Sequence, residues 1–87
     1  MHYKNGREAH ENDPAITKQY SKVTAGVLHS LQPGNTSCNA QLAYAVPGAL
    51  YNLCVTVGEC YHAEDAFNAI EKITLESLAT NIAPTTP

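Results

Sequence analysis

Three cysteines and one histidine are the residues of this chain whose types could do chemistry. Cys54, Cys60 and His62 are close in sequence, and Cys38 lies on the expected neighbouring strand. Thiolates and imidazole are natural zinc ligands, so the four side chains could form a closed site. The spacing Cys-x5-Cys-x-His matches no common zinc pattern, and small apolar or surface cysteines are the simpler interpretation. A zinc or thiol site is therefore kept as an alternative.

Cys60 and His62 could also form a thiol–imidazole pair. Residues i and i+2 of a strand point to the same side, so the two side chains could meet. A nucleophile also needs an orienting group and an oxyanion site, and the sequence supplies neither. We therefore expect a protein that is not an enzyme and that uses no cofactor.

A second set of candidates is basic and aromatic, and could bind a partner. Its members are Lys4, Arg7, Lys18, Lys22, Tyr20 and Tyr61. Residues 1–22 carry four basic and three acidic side chains, whereas residues 23–87 carry one basic and five acidic, for a net charge of −3. Nucleic-acid binders depend on clustered Lys and Arg, and the acidic remainder would repel phosphate. We expect a protein or peptide partner, with nucleic-acid binding by the N-terminal basic residues as the alternative.

The stretch Val23–Gly58 would position most of these residues, and it contains no Asp, Glu, Lys or Arg. Pro-Gly pairs at 33–34 and 47–48 divide it into three apolar runs. Alternation of apolar and polar residues predicts strands over residues 22–31, 39–46 and 50–57. Short turns between three strands predict an antiparallel meander.

The side-chain parity of each strand indicates which face is buried. In the first strand the more apolar set is predicted to face the core: Val23, Ala25, Val27, His29 and Leu31. In the last strand the core set is Tyr51, Leu53, Val55 and Val57. Gly26 predicts a bend or bulge, and Gly34 the positive φ of a type II turn.

The flanks add fewer elements. Asn5-Gly6 predicts a short edge hairpin or an ordered loop, and residues 15–18 a short strand. Residues 62–72 predict a short helix, with acids in the first turn and an alanine-rich stripe. Residues 73–75 either extend this helix or form a last strand, and their β-branched residues favour the strand. We expect one domain over residues 1–78 and a disordered tail over residues 79–87.

The turn Glu11-Asn12-Asp13-Pro14, followed by Ala15-Ile16, is similar to the Gly-Asp-x-Val entry of many SH3-like barrels. The opening segment, residues 3–9, and the middle run resemble small uncharacterised bacterial or phage-borne proteins of that kind. The resemblance spans roughly residues 3–71. It implies a mainly β (α+β) fold: a small SH3-like barrel or curled antiparallel meander of four to five strands with one short helix. Such barrels generally bind peptides, proteins or nucleic acids.

Location is predicted from cysteine usage and apolar runs. An odd count of three cysteines without a Cys-x-x-Cys pair predicts no disulfide framework. The first residues lack the apolar core of a signal peptide, and no apolar run approaches the ~20 residues of a membrane span. We therefore expect a reduced, cytoplasmic protein with no membrane partner.

The leading functional prediction is a small non-enzymatic interaction module that binds a protein or peptide. The uncharged middle stretch motivates it, because strand edges without charged residues are poorly guarded against pairing with another chain. A homodimer, or a partner that adds a strand, would use such an edge.

Overall fold

A computed structural model describes residues 1–77, and it is mainly β with one helix. The elements are β1 (Pro14–Gln19), β2 (Lys22–His29), β3 (Ala40–Val46), β4 (Ala49–Val55), a 3-10 turn (Val57–Glu59), β5 (Cys60–His62) and α1 (Ala63–Ser77). The five strands form one antiparallel sheet in the order β4-β3-β2-β1-β5. This confirms the predicted fold class and the predicted meander.

Tight two-residue turns set the register of two hairpins. Pro47-Gly48 joins β3 to β4, with Gly48 at φ 86°, as a type II turn requires. Tyr20-Ser21 joins β1 to β2, and both residues have positive φ, 52° and 64°. That geometry is the type I′ turn whose twist matches the strands. The turn at Pro33-Gly34 forms without the positive φ predicted for Gly34.

The sheet curls, but it is not closed into a barrel. Four residues connect β4 to β5, although these strands lie at opposite ends of the strand order. The connection spans at most about 17 Å, while four flat strand spacings would separate the two edges by about 19 Å. The sheet must therefore bend to bring its edges toward each other. Over the described residues no ladder joins β4 to β5, so the barrel alternative was wrong and the curled meander was right.

The core lies on the concave side of this sheet. Its fully buried side chains include Leu28, Leu42, Val55, Val57 and Cys60. The predicted parity holds for the end of β4, where Val55 and Val57 are buried, but it was wrong for β2. There Leu28 is buried while Val23 and Val27 are exposed. The register with β1 explains this, because Leu28 and the other even-numbered residues of β2 lie on the same face of the sheet as the buried residues of β1.

Gly26 is the position at which β2 can approach β3 closely. A Cβ atom built there would collide with the backbone carbonyl oxygen of Ala43. Glycine is thus required by this close approach. The pairing of β2 with β1 runs through Gly26 without an extra residue, so the predicted bulge does not form there.

The N-terminal segment forms the predicted hairpin around Asn5-Gly6. The Tyr3 N–H donates to the Arg7 carbonyl at 2.8 Å, and Gly6 has φ 90°. The hairpin also covers the free side of β5, because the Lys4 N–H donates to the Cys60 carbonyl at 3.0 Å. One edge of the sheet is therefore occupied.

The helix differs from its prediction at both ends. His62 belongs to β5 and α1 begins at Ala63, so the strand precedes the helix without a loop. The helix continues through residues 73–75 to Ser77, so of the two alternatives the extension of the helix was right and the favoured last strand was wrong. The helix dipole stabilises the carboxylates of Glu64 and Asp65 in the first turn. A helix that has started continues through β-branched residues at a small cost in free energy. The predicted tail, residues 79–87, lies outside the described residues.

Candidate functional site

Three of the predicted binding residues meet at one open groove beside β1 and β5. The groove has a volume of about 530 Å³, and its lining consists of Lys4, Ile16, Thr17, Lys18, Val23, Glu59 and Tyr61. Residues far apart in the sequence are gathered here by strand pairing. Ile16 pairs with Tyr61 across β1 and β5, and Lys18 pairs with Val23 across β1 and β2.

The groove combines an apolar floor with a polar rim. Ile16, Val23 and Tyr61 supply the apolar surface, and Lys4 and Lys18 bring two ammonium groups. Glu59 offsets one of these charges. This chemistry suits an extended peptide with an apolar side chain beside a carboxylate more than the repeated phosphates of a nucleic acid.

Arg7 does not take part in the groove. Its guanidinium contacts Glu64 and Asp65, each at 3.1 Å, at the start of α1. The Asn5 amide donates to Asp65 and, with Arg7, lowers the pKa of that carboxyl. Arg7 therefore attaches the N-terminal hairpin to the helix, and the four N-terminal cations do not form one free basic patch.

Tyr20 and Lys22 lie at the tip of the β1–β2 hairpin, outside the groove lining. Tyr20 is 99% exposed, and its backbone has positive φ. The tyrosine therefore contributes nothing to the core, and Lys22 is exposed beside it. The six residues were grouped because they are basic or aromatic. In the structure Lys4, Lys18 and Tyr61 line the groove, Arg7 contacts the helix, and Tyr20 and Lys22 lie at the hairpin tip.

The free edge of β4 is the second candidate surface. The closing pair of the β3–β4 hairpin is Val46 with Ala49, and hydrogen-bonded pairs alternate from there. The N–H and C=O groups of Leu50, Asn52 and Cys54 consequently point away from β3. The Gln19 amide donates to the outward Cys54 carbonyl at 3.4 Å, which agrees with this assignment.

No residue of β4 is charged, and Leu50 is 72% exposed on it. Over the described residues no strand pairs with this edge. The two edges of the sheet thus differ, since the N-terminal hairpin covers β5 and leaves β4 open.

Cys38 and Cys54 form a disulfide, which corrects two predictions. Their Cα atoms are 5.3 Å apart, and 16 residues separate them. The odd cysteine count was a poor guide, because one pair plus one buried thiol is also an odd count. A zinc site of Cys38, Cys54, Cys60 and His62 is excluded in this form, because sulfurs joined to each other are not thiolate ligands. Closing a loop of this length contributes about 3 kcal/mol to stability.

Cys60 and His62 both lie on the buried side of β5, as their spacing predicted. Burial raises the pKa of the Cys60 thiol, although a hydrogen bond from Thr17 opposes this. The Cys60 thiol contacts the Thr56 carbonyl at 3.3 Å, and His62 Nδ1 accepts from the Glu64 N–H at 3.0 Å. A protonated, buried thiol is a poor nucleophile. Within residues 1–77 no group of three His, Cys, Asp or Glu side chains could hold a metal ion.

Sequence reasoning missed how much apolar surface stays exposed. Phe67 is 70% exposed, Ile70 54% and Ile73 62%, so the apolar face of the helix lies largely open. Val23, Ala25 and Val27 are exposed on the nearby convex face of the sheet. The spacing of these apolar residues shows that they share a face, but it does not show whether that face contacts the core or the solvent.

Comparison with known proteins adds no relative. The chain matches no family model, and neither the curated proteins nor the solved structures yield a match. Among the described residues, no helix has the length and apolar character needed to cross a membrane.

Proposed function

We propose that the protein is a non-enzymatic interaction module that self-associates through the open edge of β4. The observation that carries the proposal is the asymmetry of the sheet. The β5 edge is covered by the N-terminal hairpin, whereas β4 offers outward backbone groups along seven uncharged residues. Proteins usually guard such an edge with charge, proline or a covering segment.

A second copy fits this edge because antiparallel pairing can be symmetric. A two-fold axis at Asn52 sets Asn52 opposite its equivalent and Leu50 opposite Cys54 of the partner copy. The residues that exchange backbone hydrogen bonds between the two copies are then Leu50, Asn52 and Cys54, whose N–H and C=O groups point outward. The Cys54 carbonyl can accept a second hydrogen bond beside that from Gln19, since a carbonyl oxygen has two lone pairs.

Side chains on this edge also favour pairing. His29 Nε2 lies 2.7 Å from Asn52 Oδ1, which holds the amide on the sheet face and away from the edge. Burial of the exposed Leu50 side chain would contribute about 1.5–3 kcal/mol per copy. The groove between β1 and β5 is left free in such a dimer, and it stays the predicted contact for a peptide partner.

The test is the molar mass of purified protein by sedimentation equilibrium, for the wild type and for Leu50→Lys. A lysine there replaces the apolar contact of Leu50 with a charge that must be desolvated on pairing, so we expect at least about a tenfold loss of dimer affinity. Val46→Lys is the matched control, because it adds the same charge at an exposed valine of the interior strand β3.

The proposal predicts that Val46→Lys associates like the wild type and that Leu50→Lys does not. A wild type that stays monomeric at high micromolar concentration contradicts it. Equal association of the wild type and Leu50→Lys contradicts the β4 edge as the contact.

A cytoplasmic location remains a prediction, and the disulfide bears on it. Such bonds are rare in cytosolic proteins and common where the environment is oxidising. In a reducing compartment Cys38 and Cys54 would be thiols, and in an oxidising one they would be joined. Quenching the cells in acid and then alkylating the unfolded protein distinguishes the two, because the buried Cys60 thiol is accessible only after unfolding. Modification of all three cysteines supports the cytoplasm, whereas modification of Cys60 alone contradicts it.

A further inference from the structure

The helix α1 carries a second exposed apolar surface. From Phe67 to Ile73 every residue of the helix is exposed, although α1 contacts β1 and β5. An isolated helix of about 15 residues is marginal in water, and most helices gain their stability from a packed apolar face. The apolar face of the exposed part borders Ile16 and Ala25 of the sheet only across a narrow crevice, so within the described residues most of it stays uncovered.

The apolar positions of α1 follow the spacing of a helix that pairs with another helix. Ala63, Ala66, Ile70 and Ile73 are separated by three, four and three residues, which is the a and d pattern of a heptad. We call this face, together with the flanking Phe67, the helix seam. Small alanines allow the two backbones to approach closely.

Charge supports this assignment independently. The charged side chains between Ala63 and Ile73 are Glu64, Asp65, Glu71 and Lys72, and in the same heptad all four fall at positions b and c. The a, d, e and g positions, which meet in a helix pair, carry no charge over this range. Glu64 and Asp65 instead contact Arg7 of the N-terminal hairpin, on the side away from the seam.

The seam continues onto the convex face of the sheet. Ala66, Phe67 and Ile70 line an apolar crevice of about 50 Å³ together with Ile16 and Ala25. A helix laid along α1 would therefore contact the sheet as well. This matters because helix pairing alone buries less than the roughly 800 Å² per partner of a stable complex.

We propose that the helix seam pairs with the helix seam of a second copy in antiparallel orientation. The seam is self-complementary in that arrangement: a two-fold axis level with Asn68 sets Ala66 opposite Ile70 and Ala63 opposite Ile73 of the other copy, so a small side chain meets a large one at each layer. Isologous contacts of this kind are the commonest in oligomers.

The seam lies beside β1 and β5, while the open edge of the sheet is β4, so the two surfaces do not overlap. Where both operate, one copy contacts two others and the assembly exceeds a dimer. The helix contact itself does not depend on the β4 contact.

The experiment measures molar mass by sedimentation for the full chain carrying Ile70→Glu, Leu50→Lys, or both. Ile73→Glu serves as a second seam variant, and Asn68→Glu is the control because it adds the same charge at exposed position f of the same helix. Circular dichroism checks that each variant remains folded. We expect Ile70→Glu and Ile73→Glu to weaken the helix contact about tenfold or more and Asn68→Glu to leave it unchanged.

With both contacts present, the wild type exceeds a dimer, each single variant is a dimer and the double variant is a monomer. If only the helix contact exists, Leu50→Lys has no effect and Ile70→Glu is monomeric, which contradicts the β4 proposal alone. If Ile70→Glu and Ile73→Glu match the wild type at every concentration, the seam does not bind a second copy and this inference is overturned. A Leu50→Lys protein that is already monomeric overturns it as well.

Discussion

At the scale of single residues, turn chemistry was predictable and covalent pairing was not. Asn5-Gly6 and Pro47-Gly48 were identified because glycine favours positive φ at those positions. Tyr20-Ser21 adopts a type I′ turn without either residue type preferring it, so only the flanking strands impose it. The Cys38–Cys54 bond could not be predicted, since it depends on the loop before β3 lying against β4.

Tyr3 and Asp13 form a hydrogen-bonded pair that fastens the N-terminal hairpin to the turn before β1. Tyr3 is buried, and its hydroxyl donates to Asp13 Oδ2 at 2.8 Å. Burial, together with Asp13, raises the pKa of the Tyr3 phenol. Burial also raises the pKa of Asp13, but hydrogen bonds from the His10 N–H and the Tyr3 hydroxyl outweigh it and lower the pKa overall.

This pair predicts a pH-dependent stability. Because the folded-state pKa of Asp13 is depressed, its carboxylate stabilises the fold above the unfolded value of about 3.9, and this is lost as pH falls toward the folded value. Tyr3→Phe should cost about 1–3 kcal/mol at neutral pH and less near pH 3. Urea unfolding at both pH values measures it, with Tyr20→Phe as the exposed control. A loss that does not vary with pH would contradict this role for Asp13.

At the scale of elements, alternation located the strands but assigned one of them to the wrong face. In β2 the odd residues are more apolar, yet Gly26 and Leu28 face the core. Alternation along a strand shows only which set of side chains is more hydrophobic. The face of β2 that is buried is decided by its register with β1, where Ala15 and Thr17 are buried. An apolar outer face is itself a signal of a further contact, and only the structure distinguishes it from core.

A substitution at Gly26 tests how closely β2 approaches β3. Gly26→Ala should lower stability by about 1–3 kcal/mol, because its Cβ would collide with the Ala43 carbonyl and strands β2 and β3 would have to separate. Gly34→Ala is the control, since a Cβ there meets nothing within 4 Å and Gly34 lacks positive φ. Thermal unfolding of both variants measures the difference. Equal stability of the two would show that β2 does not approach β3 so closely.

At the scale of the whole molecule, the sequence predicted a curled meander, and the structure adds how its edges are treated. The chain covers β5 with its N-terminal hairpin and leaves β4 open, and it places an apolar helix beside the covered edge. Absence of charge over residues 23–58 predicted an unguarded strand edge within this stretch, but which strand lies at the edge depends on the strand order and was not predicted. The groove was less predictable, since its lining comes from four separate segments of the chain.

Hydrogen exchange at single amides of β4 tests the central proposal most directly. The amides of Leu50 and Asn52 point away from β3, so only a partner strand can protect them, whereas those of Tyr51 and Leu53 bond within the sheet and serve as internal controls. The proposed β4 pairing predicts that Leu50 and Asn52 are protected at high protein concentration and exchange rapidly on dilution, while the controls stay protected. Rapid exchange of Leu50 and Asn52 at every concentration would contradict pairing through this edge.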